Sequence, residues 1–236
     1  MITQTFRTTT GKLRVTIPTQ LKELTLKQLI GLQQKANLTD LDAIHILSGV
    51  PLIDLKQITD VGEIQSLSNS IFSLSEEIKA LYNSDTIPSD IQLKIKEKPV
   101  TVKVVNNLSI EPVGAFMVAR DIIADEIKLH IERYGEPDWQ KKFNPSLQAC
   151  SQILAQYLYC PATKKSYDEY QASLFTDVIN ELPVVEALPI AKHFFLRYPN
   201  LSKPKTNFWH RLQRRWNNAP GFRNLRSLNS STLLML

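Results

Sequence analysis

A mostly helical α+β fold is what this sequence predicts, carrying a small antiparallel β-sheet and a basic C-terminal arm. Three observations lead there. Apolar residues recur at spacings of three and four through most of the chain, the pattern of helices buried along one face. Two stretches, residues 1–18 and 91–105, break that rhythm with β-favouring and alternating residues. Glycine is scarce, with 7 in 236 residues, too few for a fold made of many tight turns. The expected organisation is an N-terminal helical domain with the sheet over 1–106, a C-terminal helical half over 107–202, and the arm over 203–236.

Residues 1–18 read as a strand pair. Thr3, Thr5, Thr8 to Thr10, Val15 and Ile17 favour extended chain, Gly11-Lys12 supplies the turn, and Pro18 ends it. Thr25 then opens TLKQ, a capping box with Gln28, and Leu26, Leu29 and Ile30 form the apolar face of the helix that follows. Thr39 to Asp42 is a second capping signal. It starts a short helix through Ile44, Ile46 and Leu47, stopped by Gly49 and Pro51. PLIDLKQI begins a third short helix. Asp60 caps a longer one with Ile64, Leu67, Ile71, Leu74, Ile78 and Leu81 on one face.

From Ile91 to Val105 the chain alternates, with Ile91, Leu93, Ile95, Val100, Val102 and Val104 against Gln92, Lys94, Lys96, Thr101 and Lys103. This predicts a hairpin turning near Glu97-Lys98. A lone hairpin is marginal in water, so pairing with the N-terminal strands is expected. Ser109 caps a long helix with Glu111 and Pro112 in its first turn, running to about Tyr134 before Gly135 and Pro137. A helix over Ser146 to Tyr159 follows. Another starts near Ser166 or Tyr167 and ends before Pro183, and a last one, interrupted or restarted at Pro189, covers LPVVEALPIAKHFFLRY.

Reactive chemistry is poorly represented. Cys150 and Cys160 form no CxxC, and no pair of His/Cys couples has zinc spacing, so two reduced thiols in a cytoplasmic setting are expected. Cys150 falls on an apolar helix, while Cys160, before Pro161 at a helix end, is the one thiol placed to be exposed. On the long helix Glu126 and His130 lie four apart and could face one metal. Yet Asp121, Asp125, Lys128 and Glu132 form a single stripe opposite Phe116, Ala119, Ile123, Ile127 and Ile131, which a solvated helix face explains. The four histidines, at 45, 130, 193 and 210, occupy different segments, and no hydrolase, zincin or phosphate-loop motif accompanies them. No cofactor and no catalytic residue is expected. The N-terminus lacks the apolar run of a signal peptide, and no apolar run is long enough to span a bilayer.

Charge is divided instead. Nine of the 28 cationic residues follow Glu186, after which there is no acid, leaving 19 against all 23 acids and a net of −4 for the earlier part. The richest stretch is KTNFWHRLQRRWNN, Lys205 to Asn218. As a helix it sets Trp209, Leu212 and Trp216 on one seam, widened by Phe208, with Arg211, Arg214 and Arg215 beside it. A helix this short is marginal alone and must be ordered by contact. Four contacts fit: the anionic body of its own chain, another protein anchored on Trp and Arg, nucleic acid held through phosphates and stacked bases, or a membrane surface.

Three stretches carry a resemblance: IPTQLKELTLKQLIGLQQK, LDAIHILSGVPLIDLKQI and IQSLSNSIFSL. They resemble the tail assembly chaperones of tailed bacteriophages, in which a short β segment leads to a helix pair broken by Gly and Pro. The matching positions are Leu24-Thr25, Ile46 to Pro51 and Asp54-Leu55. LPIAKHFFLRYPN is similar to segments of phage virion-assembly proteins. The resemblance implies a non-enzymatic morphogenesis protein that binds the tape-measure or other tail proteins in the host cytoplasm. Read physically, Leu26, Leu29 and Ile30 serve either as core, the use such a pattern favours, or as a docking surface, and the break at Gly49 and Pro51 presents an edge for docking; the arm residues above are the other candidate docking set. The hairpin, the second helical half and the arm depart from the small chaperones. They keep open a structural virion subunit such as a ring or connector, with self-association, and a nucleic-acid-binding regulator.

Overall fold

A computed structural model describes residues 1–81, 86–104, 111–135 and 145–197. Two hairpins, nine α-helices and a 3-10 turn at Leu21–Glu23 occupy the described residues: β1 (Ile2–Thr8), β2 (Gly11–Ile17), α1 (Leu26–Gln34), α2 (Asp40–Ser48), α3 (Leu52–Leu55), α4 (Val61–Leu81), β3 (Asp90–Ile95), β4 (Lys98–Lys103), α5 (Val113–Tyr134), α6 (Leu147–Thr163), α7 (Glu169–Leu174), α8 (Thr176–Asn180) and α9 (Val184–Arg197). The architecture is mostly helical α+β, as the sequence predicts. The arm over 203–236 lies outside the described residues, and so does Ser109.

The two hairpins do not form one sheet, contrary to the sequence expectation. Each is a separate antiparallel pair. The first buries Phe6, Val15 and Ile17 and is extended at its tip by residues 57–59, where Thr9 N–H donates to the Gln57 carbonyl at 3.1 Å and Thr59 N–H to the Arg7 carbonyl at 3.0 Å. The second packs Ile91, Leu93 and Val102 inward, with β4 against α6 and β3 against α8. A hairpin needs either more strands or a helix to lie on, and this one takes the helices.

Both turns are displaced from their predicted places. Thr8 pairs with Gly11, so the first loop is Thr9-Thr10, and Gly11 sits at φ 147°, where side chains are disfavoured. Ile95 pairs with Lys98, so the second loop is Lys96-Glu97, with φ of 47° and 64°. Two left-handed residues in a two-residue loop suit the right-handed twist of the strands, and Asn-Gly is the pair that adopts them easily. That loop makes Ile95 and Lys98 the hydrogen-bonded pair and Lys94 and Pro99 the non-bonded one. Pro99 therefore turns its missing donor to the outer edge, where Lys94, Lys96 and Lys98 also discourage pairing with another strand. Replacing Lys96 by Asn and Glu97 by Gly should stabilise the protein by about 1 kcal/mol. That is the relief of left-handed strain less the small contribution of the exposed Lys94–Glu97 ion pair. A thermal melt should rise by roughly 2–4 °C.

The helix signals are realised locally. At α1, Thr25 N–H donates to Gln28 Oε1 at 2.9 Å and Gln28 N–H to Thr25 Oγ1 at 3.3 Å. Thr39 and Asp42 make the same reciprocal box at α2. Gln28 Nε2 also donates to the Leu47 carbonyl at 2.7 Å, satisfying a helix end that α2 leaves open. Gly49 then stops α2 at φ 72°, its N–H on the His45 carbonyl at 2.8 Å.

Later boundaries differ. α5 begins after Pro112, which is the residue preceding the helix and makes no side-chain cap. It ends at Gly135 as expected. The predicted helix before Pro183 is two short ones, and Asp168 caps the first by accepting from Gln171 N–H at 2.8 Å. α9 runs through Pro189 without interruption, and α6 runs through Pro161.

α6 is the centre of the molecule. Of its 17 residues twelve are buried, and α1, α5, α7, α8, α9 and β4 pack against it. A helix apolar all round must be sheathed on every side. Its few buried polar groups are paired: Ser151 Oγ donates to Asn180 Oδ1 at 2.6 Å, and Tyr167 Oη to Gln156 Oε1 at 2.6 Å. The two halves of the chain are tied directly as well. Leu26 N–H donates to the Leu182 carbonyl and Val184 N–H to the Leu24 carbonyl, both at 2.9 Å. One hydrophobic core thus takes residues from both sides of the boundary expected near 106.

Candidate functional site

The N-terminal docking residues fall into two groups. Leu26, Leu29 and Ile30 are 0%, 5% and 7% exposed, covered by the neighbours of α1, which include α2, α6, α8 and α9. They are core in this fold, the first of the two uses the sequence leaves open, and not a docking face. Gly49 and Pro51 are exposed at the α2–α3 turn, beside Ile53, whose side chain is 71% exposed. That turn is fixed from beneath: the His45 ring shares a 2.6 Å hydrogen bond between Nδ1 and the Val50 carbonyl, and Val50 N–H donates to Ser48 Oγ at 3.1 Å. It offers a small rigid edge. The other docking set, Phe208, Trp209, Arg211, Leu212, Arg214, Arg215 and Trp216, lies outside the described residues.

The nucleophile and ligand types are committed to structure. Cys150 is buried, and desolvation pushes its thiol up to about 12. Cys160 is half-buried in the last turn of α6, where its carbonyl accepts from the capping Lys164 N–H, and burial raises it too. Glu126, read from sequence as half of an i, i+4 pair with His130, turns away to α6. Its carboxylate accepts from Ser146 N–H at 2.7 Å and Ser146 Oγ at 2.8 Å, while Ser146 Oγ caps α6 by accepting from Ala149 N–H at 3.1 Å. His130 is buried with its ring 4.8 Å from that of Tyr134; burial, then Arg133, holds its pKa below the usual range. Asp121, Asp125 and Glu132 form the solvent-facing stripe the sequence suggests, with Arg120 on Asp121 at 2.9 Å and Lys128 on Glu132 at 3.7 Å. Among the described residues no three His, Cys, Asp or Glu side chains gather to hold a metal ion. No described helix is long and apolar enough to cross a membrane.

Two carboxyls are raised by burial and keep an oxygen without a hydrogen-bond partner, Glu111 and Glu186. Burial raises Glu111, just before α5, to about 7, and its Oε1 has no hydrogen-bond partner. The unfolded chain releases this proton near the ordinary value of 4.5, while the folded protein keeps it until about 7. The unfolded state thus binds fewer protons across that interval, so stability falls as pH rises from about 4.5 to 7 and then levels off. Glu111→Gln should therefore leave stability at pH 4 unchanged. At pH 8 it should raise stability by about 1 kcal/mol, after discounting for partial exposure. Urea melts at the two pH values test the sign.

The surface that sequence reading missed lies where α5 meets α7. Val113 and Met117 on α5 are 78% and 42% exposed, and Tyr170 and Leu174 on α7 are 69% and 50% exposed. The helices touch here: a Cβ built on Gly114 would stand 2.5 Å from the Tyr167 ring, and Tyr167 leads into α7. The signal was present. Val113 and Met117 sit on the same i, i+4 row as Asp121 and Asp125, so they are apolar residues on a polar row. Comparison of the chain with protein-family models, with curated proteins and with solved structures finds no match in any of the three.

Proposed function

We propose that this protein acts by binding other proteins rather than by catalysis, as a morphogenesis factor of a tailed bacteriophage. In this reading it works like a tail assembly chaperone, holding a tail protein such as the tape measure in the host cytoplasm before assembly. The observation that carries the proposal is the division of charge. The chain before the last acid has a net charge of −4, and nine cations with two tryptophans but no carboxylate follow it. Tryptophan and arginine side chains are the usual anchors of protein interfaces. The phage assignment rests on the resemblance of the α1–α2–α3 region at Leu24-Thr25, Ile46 to Pro51 and Asp54-Leu55. The burial of Cys150 and the commitment of Glu126 to Ser146 favour binding over chemistry.

Mass spectrometry of proteins recovered with the tagged full chain during infection tests this reading. The expected result is a long helical tail protein in the recovered material and no copy of this chain in purified virions. Finding the chain in virions would replace the chaperone with a structural ring or connector subunit, the second reading, favoured by the departures of the hairpin and arm from small chaperones. Recovery of nucleic acid in a steeply salt-dependent manner would overturn both in favour of a regulator.

A further inference from the structure

We infer that residues 205–218 of this chain dock on the face of α5 and α7 that displays Val113, Met117, Tyr170 and Leu174 beside Asp121 and Asp125, forming an intrachain latch. The face is both apolar and acidic. Its four large apolar side chains are between 42% and 78% exposed, and they lie on the two helices that meet near the Gly114–Tyr167 contact. Asp121 and Asp125 on α5, and Asp168 and Glu169 at the start of α7, are exposed acids next to it. Desolvation is the largest cause that raises the Asp125 pKa, opposed by Lys128 and helped by Asp121 and Glu126, while Arg120 pairs with Asp121 at 2.9 Å. An added cation at that point is favourable.

The occupant that matches is in the same chain. Lys205 to Asn218 pairs an apolar seam, Trp209, Leu212 and Trp216, with Arg211, Arg214 and Arg215 and contains no acid. Such a segment complements an apolar-acidic face in both respects. A nucleic acid would meet like charge on this face. A second body would bring the same acids against these.

Eight Cα steps separate Arg197, the last residue of α9, from Lys205, and an extended chain covers about 27 Å in that number. α5 and α9 both pack on α6, and packed helices lie about 8–10 Å apart, so their axes are separated by no more than roughly 20 Å. A tethered segment meets its site at a high effective concentration, so even a weak contact is populated.

The test is limited trypsin digestion of the full chain, read by mass spectrometry at Arg211, Arg214 and Arg215. Cleavage there tracks the undocked population. The rate should rise about tenfold in D121R/D125R and in M117D/L174D, whose altered positions are all on the surface. It should not rise in D90R/E97R, which changes net charge as D121R/D125R does but on the β3–β4 hairpin, away from the face. The wild-type rate should be independent of protein concentration. Equal rates in wild type and in both face variants would overturn the latch. Protection that fades on dilution would also overturn it, by assigning the contact to the arm of a second copy. Digestion reads the arm's contact with its own chain, whereas recovery during infection reads its partners, so failure of the latch and failure of the assembly reading are told apart.

Discussion

Phe194→Ala is expected to cost about 3–5 kcal/mol of folding stability, the range for deleting a buried ring and leaving its cavity behind. Phe194 is 1% exposed and meets the Tyr157 ring edge-on with centroids 4.4 Å apart and planes at 64°. It is one of the buried residues through which α9 grips α6. Alanine would remove the ring contact and open a hole between two helices that have little freedom to collapse, because α6 is enclosed on its other sides. A domain of ordinary stability has about 5–15 kcal/mol in total, so the variant would be close to unfolding at 37 °C. Phe194→Leu separates the two contributions. It keeps most of the volume and should cost about 1.5 kcal/mol or less, with the lost edge-to-face contact forming part of that. Urea melts of the three proteins measure both differences. A Phe194→Ala cost under 1 kcal/mol would show that α9 is not anchored there.

Gly114→Ala should destabilise by about 2–3 kcal/mol, against the usual rule that alanine improves a helix by about 1 kcal/mol over glycine. The added methyl would stand 2.5 Å from Tyr167 Cε1 and 2.8 Å from Cδ1. The ring has little room to yield, because its hydroxyl donates to Gln156 Oε1 at 2.6 Å and Gln156 is 3% exposed. Moving the ring strands the buried amide oxygen, at about 1–3 kcal/mol, and overpacking adds a similar amount. Tyr167→Phe alone should cost about 1–2 kcal/mol through the orphaned amide. In the double variant the two costs should not add, since each already breaks the same hydrogen bond. Strict additivity in that cycle would mean that the alanine is accommodated by shifting α5 instead.

What was legible in the sequence was local. Thr25 with Gln28, Thr39 with Asp42, Ser146, Gly49 and Gly135 each specify a helix end through bonds made within a few residues, and each lies where the sequence placed it. What was not legible depended on partners far along the chain. Nothing in the alternation of Ile91 to Val104 says whether its apolar face meets strands or helices; the packing of β4 on α6 decides it. Pro189 was read as a break, but a helix enclosed by tertiary contacts can carry a proline by giving up one backbone bond. The same gap separates the candidate docking faces. Leu26, Leu29 and Ile30 make an amphipathic pattern that is identical for a core and for an interface. Burial against the second half of the chain settled it, and that burial has no local signature. Val113 and Met117 were hidden for the opposite reason: they interrupt a polar row, and two apolar residues among acids do not disturb a helical period.

The enclosure of α6 has a consequence for how the chain is made. During translation α6 leaves the ribosome before α7, α8 and α9 exist, with α1, α5 and β4 alone among its packing partners to shield it. A greasy rod with half its sheath missing is the state most exposed to aggregation in this polypeptide. A chain that stops after residue 165 should therefore collect in inclusion bodies, whereas one that reaches 197 should not.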